Sequence, residues 1–98
     1  MASSAWLKSG KIVRVRCDIQ PGPLGEELVT INAEPTVLSG FIKKNLVEKQ
    51  GPAAYLHGKV LSLTPKAVSV RFPASFFTAA SGIASVARDW AERNMEPG

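Results

Sequence analysis

The chain is predicted to be mainly β, a small five-stranded antiparallel barrel or bent sheet with a C-terminal α-helix. Three observations lead there. Apolar and polar residues alternate with period two in the first part of the chain. Proline and glycine clusters cut the chain into short segments at roughly ten-residue spacing. After Pro73 the apolar spacing lengthens to three and four. At 98 residues, one domain is expected over 1–98, since domains typically run to about 100–150 residues. Within it we expect a loose N-terminal segment at 1–9, a barrel at 10–73 and a helical region at 74–95.

The first strand is Lys11 to Ile19, where Val13, Val15, Cys17 and Ile19 alternate with Arg14, Arg16 and Asp18. That pattern is a half-buried strand with one wet, basic face. Gln20 to Gly25 holds two prolines and two glycines and must be a loop. Glu27 to Ala33 is the second strand, with Val29 and Ile31 on one face. Glu34-Pro35 breaks it. Val37 to Lys44 is the third, with Gly40 marking a bulge or a close approach of another backbone. Asn45 to Gln50 fits neither period, and Gly51-Pro52 closes it. Tyr55 to Thr64 and Ala67 to Phe72 form a hairpin around Thr64-Pro65-Lys66.

Phe76, Ala80, Ile83, Ala87 and Trp90 then fall on one helical stripe. A glycine inside a helix costs about 1 kcal/mol relative to alanine. Gly82 therefore favours a helical turn over Ser75–Ala80 and a helix from Ile83 to Asn94, ended by Glu96-Pro97-Gly98. The alternative makes Ile83–Ala87 a sixth strand. Five short strands and a helix resemble the general architecture of small barrels of the Src-homology (SH3-like) and oligonucleotide-binding (OB-like) kinds.

Composition removes most chemistries. Cys17 is the sole cysteine, so no intramolecular disulfide forms and a reducing compartment is expected. Cys17 and the single histidine, His57, cannot make a Cys/His zinc site. Neither a metal nor another cofactor is expected. Met1–Gly10 lacks the apolar core of a secretory signal. The longest uncharged stretch, Phe72 to Ala87, is sixteen residues, short of the ~20 that span a bilayer. We expect a soluble, cytoplasmic chain with no membrane partner.

Catalysis finds little footing. His57 would need a nucleophile and an orienting carboxylate, and no serine sits in a nucleophile elbow. Cys17 shares a face with Val13 and Val15 and reads as a small buried hydrophobe. The expectation is a non-catalytic binding module.

The net charge of +4 is unevenly laid out: residues 1–17 and 36–75 carry +9, the rest −5. Nucleic acid is the first partner class. The candidates are Arg14, Arg16, Lys43, Lys44 and Arg71, because arginine forks and lysines on a strand face suit phosphate. The first strand is expected near the fifth, with Arg14, Arg16 and Arg71 sharing a face. The bland reading of these residues is a solvated surface.

A second class is a protein-interaction or scaffold domain, as a homodimer or with another protein. Trp6, Leu24 and Tyr55 are its candidate contacts. Leu24 lies at a loop tip, remote from any core. Trp6 is equally explained as a latch packed on the barrel. Phe41, Phe72, Phe76 and Trp90 read as core, and Phe77 as a candidate exposed aromatic.

Overall fold

Two long strands form the spine. In the computed structural model, which describes residues 6–98, β1 (Ile12–Pro21) and β5 (Ala53–Leu63) pair antiparallel from Ile12↔Lys59 to Cys17↔Ala54. β2 (Glu26–Ala33) and β3 (Thr36–Lys43) extend the sheet beyond β1 as a hairpin. β6 (Ala67–Arg71) and β7 (Ile83–Ala87) extend it beyond β5. The order is β3-β2-β1-β5-β6-β7. A 3-10 turn (Lys44–Leu46) leads into β4 (Val47–Gln50), which pairs with β5. Helix α1 (Arg88–Asn94) leads into β8 (Met95–Pro97), which pairs with β1.

The sheet curls into a nearly closed barrel. Across the seam between β3 and β7, Thr36 Oγ1 donates to the Ser85 carbonyl at 3.2 Å. The Phe77 amide donates to the Ser39 carbonyl at 2.8 Å. Inside, alternate residues of each strand are fully buried: Val13 and Val15, Val29 and Ile31, Leu56 and Val60, Val68 and Val70. Each such side chain contributes roughly 1.5–3 kcal/mol of burial. Leu7, at 3% exposure, joins this core, and Trp6 packs against it. The part of the N-terminal segment that is described is therefore fastened down, as the latch reading has it; Met1–Ala5 lie outside the described residues.

The class agrees with expectation, but the described residues form eight strands, not five. The helix expected from Ile83 starts only at Arg88. Ile83–Ala87 is a strand because Ala84 and Val86 are buried while Ile83 and Ser85 face out, a period of two hidden by small side chains. Gly82, at φ +78°, turns the chain into it, and the Phe72 amide bonds the Gly82 carbonyl at 2.8 Å. No helical turn forms at 75–80; Phe76 and Ala79 make an isolated bridge instead. The C-terminal residues after the helix form β8 rather than a plain terminus.

Gly40 is the expected close approach. A Cβ built there would lie 2.7 Å from the Ser75 carbonyl oxygen and 3.2 Å from Phe76 Cα. Both are backbone atoms, so little can give. Gly40→Ala is expected to lower stability by about 1–3 kcal/mol through overpacking, read as a lower urea midpoint at unchanged slope.

Candidate functional site

The outer face of β1, β4, β5 and β8 carries a bound polar network. Arg14 projects outward between buried Val13 and Val15. Its guanidinium bonds Glu48 of β4 at 2.8 Å and Glu96 of β8 at 2.6 Å, and lies 4.9 Å from the Tyr55 ring centroid. Glu48 also takes a 2.6 Å contact from His57 Nε2 and a 2.7 Å bond from Gln50. The bonds from His57 and Arg14 hold the Glu48 carboxyl below its ordinary pKa. Glu96 raises that of the Tyr55 hydroxyl, and the two carboxylates raise that of Arg14.

Ion pairing sorts the remaining charge. Among the described residues, Arg14, Lys49 and Arg88 are the paired cations, and Glu27, Glu48, Glu92 and Glu96 the paired acids. Nine of twelve cationic side chains stay outside these pairs, against four of eight acids: Asp18, Glu26, Glu34 and Asp89. Those acids sit on the far end of β1, around β2 and on α1. From Lys49 to Arg88 the chain contains no acid at all, and that span builds β5, β6 and β7.

Those three strands therefore contribute no acid of their own to the outer face, and Glu48 of β4 reaches it only at His57, Glu96 of β8 only at Tyr55. Ile12, Lys59, Arg71 and Ile83 stand side by side across β1, β5, β6 and β7. Past a register shift in β5 between Val60 and Ser62, three serines line up: Ser62, Ser69 and Ser85. Lys59 and Arg71 are exposed and outside every ion pair of the described residues.

A groove borders this face. One edge of β5 pairs with β4 as far as Leu56 and with β6 only from Lys59 onward. His57 and Gly58 fall in the gap. A 270 Å³ depression there is lined by Ile12, His57, Gly58, Lys59, Arg71, Phe72 and Pro73. A second, of 430 Å³, shares His57 and Pro73 and runs to Leu46, Val47 and Glu48.

The sequence-predicted residues fare unequally. Arg14, Arg16 and Arg71 all face outward, but β5 lies between β1 and β6, so the first strand is not beside Arg71. Arg14 is occupied by two carboxylates. Arg16 is exposed, opposite Tyr55. Lys43 and Lys44 are exposed at the end of β3, with Lys43 opposite Glu26.

The apolar candidates also divide. Leu24 is fully exposed, with a left-handed φ of 48°. Tyr55 is buried at 7% beneath Arg14 and Glu96 rather than free for contact. Phe72 and Phe76 are core as expected, and Trp90 packs against it. Phe41 is the correction. It is 46% exposed and stacks edge-to-face with exposed Phe77, centroids 5.7 Å apart, because β3 buries Leu38, Gly40 and Ile42 instead.

Lys59, and His57 as a residue lining the groove, were missed; the acid-free run from Lys49 to Arg88 was the signal for Lys59. Cys17 is buried and its thiol pushed up to about 11 by desolvation. Among the described residues no group of three or more metal-ligating side chains comes together, and no helix is long and apolar enough to cross a membrane. Compared with known protein families, curated proteins and solved structures, the chain matches none.

The network gives a pH signature. Glu48 has a folded pKa below its ordinary value, so its stabilisation is present above the ordinary carboxylate range and is lost as pH falls through the lowered value. Glu48→Gln is expected to lower the urea midpoint at pH 7. That deficit should shrink steadily below about pH 4.

Proposed function

We propose that this chain is a non-catalytic binding module for nucleic acid, with the outer face of β5, β6 and β7 as the contact surface. The observation that carries the reading is the cross-strand row Ile12–Lys59–Arg71–Ile83 beside Ser62, Ser69 and Ser85, with no acid among β5–β7. Lysine, arginine and serine are the side chains that grip phosphate and sugar without reading sequence. A small barrel presenting one strand face to an oligonucleotide is also the arrangement of oligonucleotide-binding barrels. Arg71 remains from the original candidates, Lys59 joins it, and Arg14 becomes structural. Arg16, Lys43 and Lys44 contribute to the general positive field.

Binding through phosphate must weaken with salt, because each neutralised phosphate releases counterions. Fluorescence anisotropy with a labelled 15-nucleotide single strand, titrated from 50 to 200 mM salt, is the test. Lys59→Ala and Arg71→Ala are each expected to flatten the log–log salt slope by about one. No binding at low salt, or an affinity indifferent to salt, sinks the reading.

A second reading, self-association, has its own observation. Phe41, Phe77 and Val37 are 46, 66 and 48% exposed on and beside β3, and exposed apolar clusters mark interaction surfaces. Its expected signature is a concentration-dependent mass by sedimentation that Phe77→Ser returns to monomer, with oligonucleotide affinity unchanged. A strict monomer at all concentrations excludes it.

A further inference from the structure

The groove at the split in the sheet lies next to the proposed phosphate-binding row, and the two differ in chemistry. The row is cationic. The groove is lined by Ile12, His57, Gly58, Phe72 and Pro73 beside those cations. Such pairing of an apolar slot with flanking cations suits a ligand whose flat, apolar part and anionic part are joined at short distance.

The slot is built by topology rather than by loose loops. Gly58 lets β5 and β6 approach closely beside it: a Cβ there would point into the core and meet Val70 Cγ1 at 2.6 Å and the Arg71 carbonyl oxygen at 3.2 Å. The Arg71 backbone therefore passes close to Gly58. His57 is 44% exposed at its side chain, yet its Nε2 is fixed by Glu48 at 2.6 Å. Glu48 is itself fixed by Arg14. An exposed ring held by a buttressed carboxylate is a preorganised stacking surface, and histidine is among the side chains on which unstacked bases rest.

We infer that this groove is a nucleobase subsite: one base of a single strand stacks against His57 and Pro73 while Lys59 and Arg71 hold the adjoining phosphates. The inference rests on the nucleic-acid reading above and adds to it a preference for single strands. A duplex keeps its bases stacked inside and cannot fill the slot. Base stacking is sequence-tolerant, since every base has a flat face. The subsite would therefore discriminate base from no base rather than one base from another.

The test compares three labelled probes with the intact protein: a 15-nucleotide oligothymidylate, a same-length abasic phosphodiester strand and a 15-base-pair duplex. We expect the oligothymidylate to bind about tenfold more tightly than either other probe, the range of one stacked base. His57→Ala should abolish that preference and leave the salt slope unchanged. His57→Phe, which keeps a ring but loses the bond to Glu48, should retain most of it. That rescue would not follow if His57 served only to hold Glu48.

Equal, salt-dependent affinity for oligothymidylate and abasic strand overturns the subsite and leaves the phosphate reading standing. So does tighter binding of the duplex. Absence of binding to every nucleic-acid probe removes both. A further arm uses the peptide Glu-Glu-Trp-Glu-Glu. Its capture in preference to the oligonucleotide, lost in His57→Ala, would reassign the groove to an acidic protein segment. The comparison of probes on the unmodified protein decides the matter even if a variant folds poorly.

Discussion

The partner change along β5 is the constraint on which the rest of the structure depends. β1 occupies one edge of that strand, while the opposite edge passes from β4 to β6 at His57 and Gly58. A flat sheet could not do this. Gly58 lets β6 come close just past the gap, because any side chain there would strike Val70. The register shift between Val60 and Ser62 then bends β5 further, as bulges increase local twist. The near-closure of the barrel, the groove and the placement of Lys59 beside Arg71 all follow from that one strand.

Two electrostatic systems share the outer surface and divide its work. Arg14 bridges Glu48 on β4 and Glu96 on β8, so one guanidinium ties the two shortest strands to the central one. β8 has three residues and β4 four, too few to hold position by ladder hydrogen bonds alone. Lys49 similarly meets Glu27, whose carboxylate is buried at the barrel end. Arg14 and Glu27 are the shielded members of these pairs, and a lost partner would leave either as a costly uncompensated charge. Together with Arg88–Glu92 they use up half the acids of the chain and only a quarter of its cations. The surface left over is more basic than the net charge implies, and β5 to β7 supply no acid of their own to offset it.

The architecture was legible because period-two alternation survives in β1, β2, β5 and β6, where valine, isoleucine and leucine take every second place. It failed where both parities look alike. In β3, Val37 and Phe41 compete with Leu38 and Ile42. Gly40 decides between them, since only a glycine permits the Ser75–Phe76 backbone to cross the inner face. In β7, Ala84, Ser85 and Ala87 are small, and such residues fit a helix as well as a strand. β4 and β8 were unreadable for a different reason: Val-Glu-Lys-Gln and Met-Glu-Pro carry no pattern, and their strand character comes from partners distant in the chain. Of the site, Arg71 was readable from composition. The fate of Arg14 was not, because Glu96 lies 82 positions away.

That last separation bears on how a basic strand should be read. Arg14 and Arg16 sit on the same wet face of β1, and spacing alone makes them equivalent. Position in the sheet makes them different. Arg14 is opposite His57 on one side and Glu96 on the other, flanked by strands that bring carboxylates. Arg71 is opposite Lys59 and Ile83, flanked by strands that bring none. A cation in the first setting is structural, because releasing it would strand two carboxylates against the sheet. A cation in the second setting has no carboxylate among its cross-strand neighbours. The distinction rests on cross-strand neighbours, and it moves the candidate interface from the strand richest in arginine to the one that lies opposite a lysine.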